Sequence, residues 1–303
     1  MIQSGLSILL GPGVVRDQLA RPGIFPAKTG ESAPRMAKEF ESSPSEGGAV
    51  TPLPRRATAH FADGAIDVVV TRLDLRPAAV RALAAWLSDA ERQRASRFNF
   101  DRDRRRFVVT RARLRQLLAV RLDVPPESVE LVYGERGKPA LARGYADSDL
   151  RFNVSHSDDV AVYTFSSGRE IGIDVEAVRV IRDADDIAAR FFSRHENEAY
   201  LALDPRDKPL GFFNCWTRKE AFIKALGDGL YHPLERFDVS LAPGEPARIL
   251  RVANTPGDHC GWHLESFSPA PGLVAAVVVE SGRRRAASVT SSPHSLPAYR
   301  KQV

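Results

Sequence analysis

The chain has 303 residues, 43% of them hydrophobic and 27% charged, which suits one or two packed domains and excludes a fibrous or wholly disordered protein. Lys and Arg number 43 against 38 Asp and Glu, a formal charge of +5 that names no partner until its location is known. No apolar run approaches the ~18 residues of a membrane span, and Cys215 and Cys260 are too few and too scattered for a disulfide framework or a zinc site, so a reducing, cytoplasmic setting is expected.

Residues 1–60 are rich in Pro, Gly, Ser and Ala without a sustained apolar period, and they read as a disordered or poorly packed extension. Their apolar patch at positions 6–10 lacks the basic flank and small-residue cleavage site of an export signal. Met36, the second of two methionines, offers an alternative start. Residues 65–75 then predict a strand. A helix follows from Pro77, whose fixed φ suits a first turn, to about position 97. Residues 101–122 predict a second helix, apolar at Phe107, Val108, Leu114, Leu117 and Leu118, with arginine on its other face. Strands are expected over 130–133, 151–154, 160–165 and 170–175, broken by Gly134, Gly137-Lys138-Pro139 and Gly168. Helices at 185–192, 194–203 and 210–226 precede strands at 237–241, 262–267 and 273–280. The tail, 283–303, has a loop-like composition.

Strands and helices thus interleave in two rounds, and the second resembles the first. Ile66-Asp67-Val68 is echoed by Ile173-Asp174-Val175, and Thr110-Arg111 by Thr217-Arg218, with the same spacing inside each copy. The copies differ chemically, because Val69 stands in the place of Glu176 and Arg113 in that of Glu220.

Asp174 and Glu176 are two apart on a predicted strand, so the pleat points both carboxylates to one face. Trp216, Glu220 and Lys224 recur every fourth residue on a predicted helix and share a face. A few oxygen ligands, with positions left for phosphate and water, suit Mg²⁺, and no His/Cys cluster argues for zinc. Taken singly, these segments also read as a solvated strand edge and a surface ion pair. Ser155 and His156, at the end of Phe152-Asn153-Val154-Ser155-His156-Ser157, could meet an anion or simply close a turn. The arginines between positions 92 and 121, with Arg102 and Arg106 among them, could neutralise phosphates or form a solvated face.

Taken in order, Gly137-Lys138-Pro139, Asn153-Val154-Ser155-His156-Ser157, Gly172-Ile173-Asp174-Val175-Glu176, Phe191-Phe192-Ser193-Arg194-His195-Glu196 and the run from Trp216 through Lys219-Glu220 and Lys224 to Gly227 resemble the motif set of the 4′-phosphopantetheinyl transferases. The likeness is to the larger Sfp-type class, with two related halves in one chain, and covers residues 61–280. It implies an α+β fold of two similar α/β halves related by a pseudo-two-fold axis, the active site at their interface. The halves would be a basic N-terminal one, 61–165, and a metal-bearing C-terminal one, 166–282. A monomer would suffice.

The implied reaction moves 4′-phosphopantetheine from coenzyme A to a serine of an acyl or peptidyl carrier protein domain and releases adenosine 3′,5′-bisphosphate. By position, Asp174, Glu176 and Glu220 would gather Mg²⁺, Glu220 could take the serine proton, and Lys224 would stabilise pyrophosphate charge. Lys138, Ser155 and His156 would contact the nucleotide phosphates, and Arg102, with Arg106 as second candidate, the 3′-phosphate. Glu196 either orders the metal side of the site or closes a capping box with Ser193, the cap being preferred. The competing reading is a basic nucleic-acid-binding protein using the arginines of positions 92–121, which leaves the carboxylates without a purpose. On the transferase reading no nucleic-acid or membrane partner is expected.

Overall fold

A computed structural model of the chain describes residues 55–61, 64–134, 138–227, 233–253 and 261–282. Its first strand, β1 (Arg55–Phe61), pairs antiparallel with β2 (Gly64–Arg72). The ordered part therefore begins before position 61, and residues 55–60 belong to a sheet and not to the extension. Its signal was hidden because Arg-Arg-Ala-Thr-Ala-His-Phe carries only short or charged side chains before its last residue. The rest of that extension, and the tail from 283, lie outside the described residues.

The helix expected over 77–97 is two helices, α1 (Pro77–Ala84) and α2 (Asp89–Ser96). The break is chemical: Ser88 accepts from the Glu91 amide while the Glu91 side chain accepts from the Ser88 amide, a reciprocal cap that starts a new helix. The long helix α3 (Asp101–Leu122) follows, then a short hairpin of β3 (Leu131–Tyr133) and β4 (Pro139–Leu141). Strands β5 (Leu150–Ser157) and β6 (Val160–Ser167) complete an antiparallel sheet of order β1-β2-β6-β5.

The second round begins with β7 (Ile171–Ala177). It continues through α4 (Ala184–Phe191), α5 (Arg194–Leu201) and the long α6 (Lys208–Leu226). A hairpin of β8 (Phe237–Val239) and β9 (Ile249–Val252) precedes β10 (Trp262–Phe267) and β11 (Leu273–Glu280), which close a sheet of order β10-β11-β7. In both sheets the first long strand of its round pairs with the last, and the last with the one before it: β2-β6-β5 and β7-β11-β10. A long helix lies between first and last strands each time, as the sequence echo requires.

Alternation along β7 explains the layering. Ile171, Ile173 and Val175 point into a core shared with Ile66, Val68, Val160 and Val162 of the first sheet and Ala275, Val277 and Val279 of β11. The intervening residues point the other way, towards α6. That helix is buried nearly all round, with Phe212, Phe213, Trp216 and Phe222 in the second-half core. Burying an aromatic set of this kind contributes on the order of 2 kcal/mol per side chain, so the position of α6 on the sheet is strongly fixed. In the first half α3 packs Phe107, Leu114 and Leu118 with Val69 and Tyr163.

The arginine face expected on α3 is largely spent inside the molecule. Arg111, Arg113 and Arg115 are buried. The Arg115 guanidinium donates to Glu91 at 2.6 Å and to the Val129 carbonyl at 2.8 Å, and Arg111 lies against the rings of Phe107 and Tyr133. Arg104 and Arg105 both pair with Asp101 in the first turn, and Arg121 pairs with Asp67. An open phosphate-binding stripe of the kind a nucleic-acid reader needs is not what these side chains form.

Candidate active site

The site is assembled where α6 crosses β7. Gly172 is the reason it can. A Cβ built there would fall on the Ala221 carbonyl oxygen and the Ala225 amide of α6, so only glycine lets the helix backbone lie this close to the strand. From that contact Glu220 and Lys224, one turn apart, stand over Asp174 and Glu176. The helix ends at Gly227, which takes a left-handed φ of 81°, the usual cost-free helix stop.

Asp174 is fully buried and its Oδ1 accepts two hydrogen bonds, one from Ser155 Oγ at 2.8 Å and one from Lys224 Nζ at 2.6 Å. Lys224 also donates to Ser155 Oγ at 3.2 Å. Glu176, also buried, accepts from Ser157 Oγ at 3.2 Å through Oε2. Glu220 is buried too, and its Oε1 and Asp174 Oδ2 have no hydrogen-bond partner. Unmet buried carboxylate oxygens are costly.

The electrostatics follow from this crowding. Burial pushes the Glu220 carboxyl up to about 7; the Lys224 charge works against the rise and the Asp174 charge adds to it. Burial alone would lower the Lys224 ammonium, but Asp174, Glu220 and Glu176 outweigh it and hold the group above its ordinary value. The three expected metal carboxylates therefore surround Lys224. Among the described residues no His, Cys, Asp and Glu group of three or more is already set at metal-holding distances, and Lys224 Nζ bonds Asp174 Oδ1.

The other expected contacts are placed unevenly. Ser155 belongs to the carboxylate cluster itself. His156, on the opposite face of β5, is half-buried. Lys138 donates to the Lys224 carbonyl at 2.6 Å, tying the loop before β4 to the last turn of α6. Its ammonium is held below its ordinary value, chiefly by burial, with Lys224 and Arg151 adding to the effect and Glu170 opposing it. Arg106 pairs with Asp159 in the β5–β6 turn at 2.9 Å, whereas Arg102 is 60% exposed, its closest acid being Asp103 at 3.8 Å. Of these basic groups, Lys138 is tied to the cluster's helix through the Lys224 carbonyl, and Arg106 is tied to Asp159. Gly137 lies outside the described residues.

Glu196 is a cap, and more than a cap. It receives the Ser193 amide at 2.7 Å while Ser193 Oγ receives the Glu196 amide at 3.1 Å. Its other oxygen accepts from Lys219 Nζ at 2.7 Å and from the Val239 amide at 2.8 Å. It does not reach the metal-side carboxylates. Lys219 is the residue that reading by motif missed, since a lysine beside a glutamate on a helix gives no sign of which one is buried. Trp216, on the same helix, stacks its ring on Phe212 at 6.1 Å in the core.

The sequence matches known family models over both of its main parts. The family model described as the 4′-phosphopantetheinyl transferase superfamily matches residues 170–278, and the model of the 4′-phosphopantetheinyl transferase N-terminal region matches residues 76–167. The 4′-phosphopantetheinyl transferase HetI of Nostoc sp. is 40% identical over 207 residues, 68% of this chain and 84% of that protein. The chain belongs to the 4′-phosphopantetheinyl transferase family. Within it the transferase is also similar to Sfp of Bacillus subtilis, 30% identical over 64% of this chain and 82% of that one. The human L-aminoadipate-semialdehyde dehydrogenase-phosphopantetheinyl transferase is 31% identical over 50% of this chain and 52% of its own length. The chain is thus an enzyme of the Sfp/HetI type, and among its described residues no helix is long and apolar enough to cross a membrane.

Proposed function

We propose that the transferase moves 4′-phosphopantetheine from coenzyme A to a serine hydroxyl of an acyl or peptidyl carrier domain, with release of adenosine 3′,5′-bisphosphate. The observation that carries this reading is the buried cluster of Asp174, Glu176, Glu220, Lys224 and Ser155, built by β7 and α6 within the matched superfamily region and by β5 within the matched N-terminal region. The serine oxygen attacks the phosphorus that bears the pantetheine arm, the bond to the bridging pyrophosphate oxygen breaks, and the nucleotide departs with that oxygen.

Asp174, Glu176 and Glu220 would hold Mg²⁺, and the orphaned oxygens Asp174 Oδ2 and Glu220 Oε1 fit a hard, oxygen-seeking cation. Bound there, Mg²⁺ supplies charge neutralisation and orientation at the pyrophosphate. Glu220 takes the serine proton, directly or through one water. Lys224, released from Asp174, places its ammonium against the charge that develops on the departing phosphate. Lys138, Ser155 and His156 border the nucleotide phosphates, and Arg102, the more exposed of the two candidates, meets the 3′-phosphate, with Arg106 held back by Asp159. The matching strand orders support two halves related by a pseudo-two-fold axis, 61–165 and 166–282 in the main, with the site where they meet. A single chain then holds a complete site in the cytoplasm.

The test is direct. Purified enzyme is incubated with Mg²⁺, fluorescent coenzyme A and several apo-carrier domains, and covalent label on the carrier is measured. Label that requires the carrier serine is the expected result; folded enzyme that labels no carrier overturns the proposal.

A further inference from the structure

The two sheets meet at β5 and β7, and along this seam β5 offers side chains where a sheet would offer backbone. Asn153 Oδ1 accepts from the Ile173 amide at 3.1 Å, Ser155 Oγ donates to Asp174, and Ser157 Oγ accepts from the Ala177 amide at 3.1 Å while donating to Glu176. These are alternate residues of one strand, all buried, so the pleat aims the three side chains the same way. The seam is a side-chain zipper in register with β7.

The direction of each hydroxyl hydrogen is decided by its neighbours. Ser157 Oγ takes the Ala177 N–H as acceptor, which leaves its own hydrogen for Glu176 Oε2. Ser155 Oγ takes the Lys224 ammonium as acceptor in the same way and gives its hydrogen to Asp174 Oδ1. A serine hydroxyl has one donor to spend. Here each is spent on a carboxylate proposed to hold the metal, and backbone or ammonium donors prevent it from turning away.

We infer that Ser157 is a positioning residue for Glu176: anchored by the Ala177 amide, it fixes the orientation of a carboxylate that would hold the cation. Glu176 lies near the end of β7. Ser155 extends the same device along the strand towards Asp174, while Asn153 holds the β7 backbone through the Ile173 amide. This inference rests on the proposed metal site. Partners of this outer kind typically alter metal affinity by about 10–100-fold when removed.

Metal binding is measured on the full chain without coenzyme A, by titration of Mn²⁺ followed through the loss of its free-ion paramagnetic signal, alongside the Mg²⁺ dependence of transfer. Ser157→Ala is expected to weaken Mn²⁺ binding about tenfold and to shift the Mg²⁺ requirement upward, with kcat at saturating Mg²⁺ largely recovered. Ser157→Thr, which keeps the hydroxyl, should restore most of the affinity. Ser166→Ala serves as comparison, since that hydroxyl is spent on the Arg169 carbonyl at a turn, and should leave Mn²⁺ affinity unchanged. Folding of each variant is checked by circular dichroism and thermal unfolding. Equal Mn²⁺ affinity in Ser157→Ala and the parent, while Glu176→Gln lowers it, overturns the role of Ser157. Unchanged affinity in Glu176→Gln and Asp174→Asn as well overturns the metal site itself.

Discussion

At the scale of single residues, the site is defined by what its carboxylates lack. Asp174 Oδ2 and Glu220 Oε1 are buried without a hydrogen bond, so both side chains are poor for stability and are kept for another reason. Asp174→Ala and Glu220→Gln are each expected to lower kcat/KM for carrier labelling by about 10² or more. Glu220→Gln should leave the thermal midpoint equal or higher, since a neutral amide costs less to bury than a carboxylate. Differential scanning fluorimetry and the labelling assay read these two effects separately. Near-parent transfer in either variant removes that residue from the site. The residue types were legible in the sequence, because Asp174 and Glu176 sit two apart and Glu220 and Lys224 four apart. Which atoms they touch was not: Ser155 stands on a strand nineteen positions earlier and meets Asp174 only because β5 and β7 lie side by side.

At the scale of elements, the decisive event is the landing of α6 on β7. Gly172→Ala pushes a methyl group into the α6 backbone, and backbone cannot move aside as a flexible side chain can. A loss of about 1–3 kcal/mol in urea denaturation is expected, together with a fall in transfer larger than the fall in folded fraction, because Glu220 and Lys224 ride on the displaced helix. The same helix is pinned at its far side by the Lys219–Glu196 pair, 2% and 0% exposed. Lys219→Met leaves a buried carboxylate uncompensated and should cost about 3–5 kcal/mol. Adding Glu196→Gln should return part of that loss, and its failure to do so would show that the pair is not what makes the single change costly. The first half repeats this construction, with Glu91 closing a capping box and pairing with Arg115 of α3 at 2.6 Å. Periodicity located both long helices. It placed the α3 arginines outside, because charge alone predicts exposure, whereas Glu91, carbonyl oxygens and aromatic rings were waiting for them in the fold.

At the scale of the whole molecule, the two sheets share a strand order but the residues around them differ in charge. Asp67, the counterpart of Asp174, is tied to Arg121 at 2.9 Å, and Val69 and Arg113 replace the other two carboxylates, so one half keeps the acids and the other carries the surplus of base. Arg102, Arg104 and Arg105 remain 60%, 50% and 42% exposed at the start of α3. With a formal charge of +5, the enzyme is expected to meet an acidic carrier partly by steering. Raising ionic strength should therefore lower kcat/KM for such a carrier with little change in kcat at saturation, and a salt-independent kcat/KM would count against it. The sequence by itself determined the family, most of the long strands and helices, the internal echo and the four acidic and basic side chains of the buried cluster, since each is a matter of residue type and local spacing. Only the tertiary structure decided that Arg55–Phe61 is a strand, that Lys224 rests on Asp174, that Glu196 accepts from Lys219, and that Ser157 donates to Glu176. Those facts depend on which distant segments share a buried boundary, and spacing along one chain does not record it.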